Sequence, residues 1–292
     1  MMKPSPSAPE PRATAGASLL IGLARGLARL PLQWARALGG LMGFAAYAAS
    51  RSYRVKLADN LARAGLGQRV SAWRAAREAG RMAGELPFIW WRSAAALREK
   101  VVCDDLEVLQ AAERAGRGIV FLTPHLGSFE VTARWYAYRN PITVLFQPPR
   151  KALIAALLSA ARGDGSLRPV PATLAGVRAM LRALRAGQAV GLLPDQVPGA
   201  GEGRWARFFG APAFTMTLPQ RLVEATGATL VIAVGAREAG GWRISLERFD
   251  AEPTPEALNA RMEQLILLHP DQYLWGYNRY KRPAGAPDPE QP

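Results

Sequence analysis

The segment Thr123-Pro-His-Leu-Gly-Ser-Phe-Glu130 holds a histidine and a carboxylate with four residues between them, directly after the apolar run Gly118-Ile-Val-Phe-Leu122. His125 is one of only two histidines in the chain. A neutral imidazole can accept a proton near neutral pH, and a carboxylate beside it fixes the tautomer and stabilises the imidazolium that forms. His125 with Glu130 therefore reads as a general-base pair. On an uninterrupted helix five positions turn through roughly 500°, which leaves the two side chains about 140° apart. The spacing works if His125 lies in a strand-to-helix turn after Pro124, Gly127 eases the bend and Glu130 occupies the first helical turns. Taken without context, the same residues also describe a turn histidine followed by a surface glutamate.

Further blocks follow in order: Gln147-Pro-Pro-Arg150-Lys151, Gly191-Leu-Leu-Pro-Asp195-Gln196-Val-Pro-Gly199, Arg207-Phe-Phe-Gly210, Thr215-Met-Thr217, and Pro270-Asp-Gln-Tyr-Leu-Trp275 continued by Arg279-Tyr-Lys281. With His-Leu-Gly-Ser-Phe-Glu at their head, these blocks resemble the glycerolipid-type acyltransferases with a His-x4-Asp/Glu block. More specifically, they resemble the bacterial lipid A biosynthesis (lauroyl/myristoyl) acyltransferases, over roughly residues 18–283. The resemblance implies an O-acyltransferase at the cytoplasmic face of the inner membrane. Such an enzyme moves an acyl chain from acyl carrier protein to the hydroxyl of an acyl chain on a lipid A precursor. It implies His125 as the base, Glu130 as the group that orients it, Arg150 as a grip on an anionic head group or carrier phosphate, and Asp195 with Gln196 as substrate-binding residues. No cofactor or metal is implied. The partners are acyl carrier protein, an anionic glycolipid acceptor and the membrane surface. Acylation of another glycolipid or an amino-lipid fits the same blocks.

The residues themselves support parts of this. Arg150 follows an apolar run, where a guanidinium can take a phosphate bidentately; a solvated Arg-Lys pair at a helix start fits equally. Asp195 and Gln196 follow the run 189–193, at the strand end where open α/β sheets place ligands, although both are also ordinary turn residues. Ser128 reads as a helix-start or backbone-bonding hydroxyl, and the glycine-rich 199–203 as a mobile loop. There is no Gly-x-Ser-x-Gly elbow, Walker loop or dinucleotide fingerprint.

In 292 residues, 37 Lys and Arg face 23 Asp and Glu, a net charge of +14 that calls for anionic partners. A nonenzymatic basic protein binding membrane or nucleic acid is the competing class. No helix-turn-helix, RRM or zinc-finger signature is present, so nucleic acid is not an expected partner. The single cysteine, Cys103, excludes an intrachain disulfide framework.

The chain divides into a disordered arm over 1–17, an apolar membrane-associating segment over 18–50, a basic helical region over 51–100, a catalytic domain over 101–283 and a disordered tail over 284–292. Arg25, Arg29, Pro31 and Arg36 interrupt the apolar segment. Its longest uncharged run, 37–49, would rise only about 20 Å as a helix, which fits an interfacial or re-entrant helix better than a span. Entry of the whole stretch with snorkelling arginines and burial as an amphipathic helix pair are the alternatives. The following 51–100 carries 11 Lys and Arg against 4 Asp and Glu. There the helical pattern breaks at Pro87, and Trp90-Trp91 suits a membrane boundary or a core equally.

Beyond Gly118, strands at 119–122, 142–146, 189–193, 229–234 and 242–247 alternate with helices at 127–139, 151–161, 173–186, 216–226 and 255–268. That order predicts an α/β fold, a layered central sheet flanked by helices.

Overall fold

The strands that the pattern predicts are the most apolar runs in the chain, and they form the middle of a seven-stranded sheet. A computed structural model describes residues 15–147, 152–161 and 166–289. The sheet takes β1 (Val101–Cys103), β2 (Ile119–Leu122), β3 (Ile142–Phe146), β4 (Leu167–Pro171), β5 (Ala189–Leu192), β8 (Thr229–Arg237) and β9 (Trp242–Arg248) in the order β1-β9-β8-β2-β5-β3-β4. Pairing is parallel except between β8 and β9. Every residue of β2 and β5 is buried, as strands covered on both faces require.

Alternation sends the side chains to two cores. Val120, Leu122, Val190, Leu192 and Ile232 pack on one side with α9 (Leu174–Arg185), α10 (Leu218–Thr226) and α11 (Pro255–Leu268). Ile119, Phe121, Ala189 and Val231 pack on the other, under α5 (Ala94–Arg98), α6 (Leu106–Arg114) and α7 (Phe129–Ala137). The predicted helices are present within a few residues, α8 (Ala152–Ala161) among them, and Gly227 closes α10 in the left-handed conformation.

Three elements depart from the expectations. β4 carries Pro169 and Pro171, which argue against a strand until its place at the sheet edge is known. The glycine-rich 199–203 is a loop up to its last residue, and it leads into a hairpin that the pattern did not predict, of β6 (Gly203–Phe208) and β7 (Ala211–Met216). Its turn is Phe209-Gly210, both at positive φ, and the Glu263 carboxylate accepts the Phe209 N–H at 2.7 Å. Part of the tail is ordered on this hairpin: Ala286 is buried and the Pro287 carbonyl accepts the Trp205 indole N–H at 2.8 Å.

The N-terminal helices α1 (Ala15–Leu27) and α2 (Leu32–Ala49) are followed by α3 (Arg51–Arg63) and α4 (Ala72–Trp91). α1 starts within the stretch assigned to the arm. α4 continues through Pro87, because Phe88, Ile89 and Trp90 beyond the expected break are all buried. α2 and α4 meet backbone to backbone: a Cβ on Gly39 would stand 2.3 Å from the Gly80 carbonyl oxygen, and one on Gly84 2.3 Å from that of Ala35. Arg36 does not snorkel. It is buried, donating to Glu85 at 2.6 Å and to the carbonyls of Glu238 and Gly241 at 2.5 and 2.7 Å. Trp90 likewise lies in the core and not at a boundary. Among the described residues no helix is long and apolar enough to cross a membrane. The outer faces of α1 and α2 nevertheless expose Leu19, Leu23, Trp34, Leu41 and Met42.

Candidate active site

β2 and β5 are parallel neighbours in register, Leu122 opposite Leu192. The segments leaving their carboxyl ends therefore emerge side by side, and the Thr123 N–H extends the ladder to the Leu192 carbonyl. One segment carries His125 and the other Asp195. The His125 backbone N–H donates to Asp195 Oδ2 at 2.9 Å, and His125 Nδ1 lies 2.9 Å from Asp195 Oδ1. Only 6 % of His125 and none of Asp195 is exposed.

The turn that presents His125 is held from several directions. Gly127 has φ +64°, and a Cβ there would meet the Gly235 carbonyl oxygen at 2.2 Å, so only glycine fits. Gly127 N–H donates to the Gln272 carbonyl, Ser128 N–H to that of Gly235, and Leu274 N–H to that of His125. Arg237 Nη1 donates to the Gly127 carbonyl at 2.8 Å while the same guanidinium grips Glu78 on α4. The imidazole stacks on Tyr277, 5.5 Å between centroids, and meets the edge of Phe129 at 5.0 Å. Tyr277 is fixed in turn by the Val197 N–H, which donates to its hydroxyl at 2.8 Å.

An ionised Asp195 makes Nδ1 the protonated, donating nitrogen. Nε2 has no hydrogen-bond partner among the described residues, which leaves its lone pair for an incoming hydroxyl. Burial pushes the Asp195 carboxyl up, but the charge and the two hydrogen bonds of His125 outweigh burial and hold it below the usual carboxylate range. Arg279 adds positive potential from a distance. It is 2 % exposed and donates to the Phe214 carbonyl, Thr215 Oγ1 and Asn259 Oδ1. Burial pushes the Tyr273 hydroxyl well up, with the Asp195 charge adding to the effect.

Glu130 falls in the first turn of α7, as its spacing predicts. The nitrogen it was expected to orient is taken by Asp195, and Glu130 Oε2 instead accepts the Trp90 indole N–H at 3.2 Å. Ser128 stands at the helix start but its buried hydroxyl makes no capping bond. Gln196 is partly exposed beside Asp195, its N–H on the Leu193 carbonyl at 3.3 Å. Arg150 lies outside the described residues. Sequence reasoning singled out Asp195 by its place after a strand, yet missed it as the partner of His125. It also missed Tyr277, Arg237 and Trp90, for which no local spacing gives a signal.

Beneath α7 and next to Thr123, Phe129 and Glu130 lies an apolar cavity of about 70 Å³, bounded below by Phe121, Val144 and Gly191 of the sheet. A histidine paired with a carboxylate at the carboxyl end of an α/β sheet, with an apolar cavity lined by the residues on either side of it in the chain, has the groups that general-base activation of a hydroxyl requires. The family described as bacterial lipid A biosynthesis acyltransferase matches residues 1–282, and the chain belongs to it. It is 28% identical over 195 residues to a lipid A biosynthesis lauroyltransferase of Escherichia coli (strain K12), a match covering 62% of each protein. It is 25% identical over 221 residues to a lipid A biosynthesis palmitoleoyltransferase of the same organism, covering 72% of this chain and 71% of that protein. A lipid A biosynthesis acyltransferase of Haemophilus influenzae is 24% identical over 181 residues, covering 58% and 56%.

Proposed function

We propose that this protein is an O-acyltransferase that moves a fatty acyl chain from an acyl carrier protein thioester to a hydroxyl of a lipid A precursor. The observation that carries the reading is the buried His125–Asp195 pair, in a segment whose residues Thr123, Phe129 and Glu130 line the apolar cavity. Nε2 removes the hydroxyl proton as that oxygen attacks the thioester carbonyl carbon. Asp195 balances the imidazolium that forms. The tetrahedral adduct collapses with cleavage of the C–S bond, and the imidazolium returns the proton to the departing thiolate. Bonds and protons balance without a covalent acyl-enzyme. Glu130, at the cavity and tied to Trp90, supplies the second carboxylate of the site. Gln196 borders the acceptor, and Arg150 takes a phosphate of the head group or carrier. The exposed apolar faces of α1 and α2, with the arginines of α4 beside them, support docking on the cytoplasmic face of the inner membrane without a span.

The test is purified protein supplied with acyl carrier thioesters and a panel of glycolipid acceptors, the products read by mass spectrometry. A new ester on a lipid A precursor, absent with His125→Ala, is the expected result. No ester on any acceptor from a folded wild-type protein would overturn the proposal.

A further inference from the structure

Register places one residue from each strand in a row across the face under α7: Val231, Phe121, Gly191 and Val144 stand side by side on β8, β2, β5 and β3. Three of the four carry bulky side chains. Gly191 carries none, and the cavity lies over it. Its φ is not positive, so no backbone conformation demands glycine here. Nor is there a backbone approach to accommodate. The nearest atoms to a Cβ would be on the side chains of Val144 at 3.3 Å and Ile142 at 3.4 Å, both of which line the same cavity. A Cβ here would already crowd those two lining side chains, so the glycine keeps this layer of the cavity from closing further. The cavity is also near the chemistry, because Leu193, just past the end of β5, is two positions from Asp195 and also lines it.

We propose that Gly191 sets the acyl-chain length this enzyme transfers, by leaving open the part of the cavity that receives the distal carbons of the donor chain. The inference rests on the acyl-transfer reading and deepens it. The present free space of about 70 Å³ holds only a short run of methylenes. The length accepted is therefore decided by how many carbons this space admits, with Gly191 and Val144 both on its lining. Adding a side chain at 191 closes the slot, and trimming Val144 widens it. Each methylene moved between water and an apolar site changes binding by about fourfold. A valine at 191, three carbons larger, should therefore lower the preference for the longest accepted donor by roughly tenfold to sixtyfold relative to shorter ones.

The experiment is competition among decanoyl, dodecanoyl, tetradecanoyl and hexadecanoyl carrier thioesters with wild type, Gly191→Ala, Gly191→Val and Val144→Ala. The mass of the chain added is read alongside calorimetric binding of the same thioesters and the Tm of each variant. Gly191→Val should shift transfer and binding to shorter chains, Gly191→Ala should do so less, and Val144→Ala should shift both to longer ones. An unchanged length profile, or an equal loss for every length at unchanged Tm, would overturn the proposal. So would a profile that follows the acceptor's chain length and not the donor's. If Gly191→Val does not fold, the opposite shifts in the Ala variants decide. If wild type transfers nothing, the acyl-transfer reading fails separately, and the binding series still reports whether Gly191 limits chain length.

Discussion

His125 shows how a residue's type and its partner are written at different distances in the chain. Its chemistry, its turn and the need for Gly127 are local and legible, and so is the position of Glu130 on the helix that follows. Its carboxylate partner is seventy positions away, and only the adjacency of β2 and β5 brings Asp195 to Nδ1. Strand order is a property of the whole sheet, which no spacing near His125 encodes. The two carboxylates can be told apart by rate. His125→Ala should lower turnover by about 10² to 10⁴-fold, the usual range for general-base catalysis, and also lower Tm, because the buried Asp195 carboxylate loses its side-chain partner. Asp195→Asn, which keeps the shape but removes the charge facing Nδ1, should cost more than Glu130→Gln. Steady-state kinetics on the three variants checks the ranking, and a larger loss in Glu130→Gln would return the orienting role to Glu130. A second expectation follows from the depressed Asp195 carboxyl. Because its folded value is lowered, its stabilisation is complete above the unfolded carboxyl range of about 4 and is lost as pH falls through the lower native value. Denaturant unfolding of wild type and Asp195→Asn should show a stability gap that is constant at neutral pH and closes only in acid, below about pH 4. A gap that closes between neutral and weakly acidic pH would contradict an ionised, buried Asp195.

Among the elements, those with strong local patterns were legible and those that depend on neighbours were not. The central strands announce themselves as apolar runs, whereas β4 is a strand only because the sheet edge tolerates its prolines. The β6–β7 hairpin turns on a phenylalanine at positive φ, held by Glu263 from α11; no turn propensity would nominate it. Pro87 fails to break α4 because the residues after it are buried in the core. The apolar pattern of α2 was equally ambiguous between lipid and protein, and Gly39, Gly43, Gly80 and Gly84 resolve one side of that helix. Each would place a Cβ within 2.2 to 2.3 Å of a backbone oxygen across the interface. Backbone cannot yield as a side chain can, so Gly80→Val should destabilise at least as much as ordinary overpacking, about 1–3 kcal/mol. A Cβ on Gly22 in α1 would meet nothing within 4 Å, so Gly22→Ala should be neutral or stabilise by up to about 1 kcal/mol through helix propensity. Thermal unfolding of both variants tests the contrast; equal Tm values would mean that α2 is not docked on α4.

At the scale of the whole molecule, exposed apolar residues of α2 lie beside arginines of α4, which belong to a chain of net charge +14. α2 has 18 residues, about 27 Å of helix, and its inner face is committed to α4, so it cannot offer lipid an apolar surface all round. Its outer face can, through Trp34, Leu38, Leu41 and Met42. Beside it, Leu41 and Phe44 share a hollow with Trp73, Arg77 and Arg81 of α4. Arg74 and Arg77 lie over the Trp73 ring at 5.5 and 5.7 Å from its centroid. Apolar side chains flanked by arginines suit a helix lying in the interface of an anionic bilayer, each basic residue contributing about 1 kcal/mol at low salt. Vesicle cosedimentation separates the two contributions. Arg74→Gln with Arg77→Gln should weaken binding to anionic vesicles by roughly 30-fold at low salt and far less at high salt, where the charges are screened. Leu41→Ser with Met42→Ser should weaken binding at every salt concentration, since burial of apolar area does not depend on ions. Neither pair should alter acyl transfer to a detergent-dispersed acceptor, because neither touches His125 or Asp195. Full-length protein that stays in the supernatant with anionic vesicles at low salt would sink the interfacial assignment. Parallel losses of binding and transfer in both pairs would instead make this surface part of the acceptor's own site.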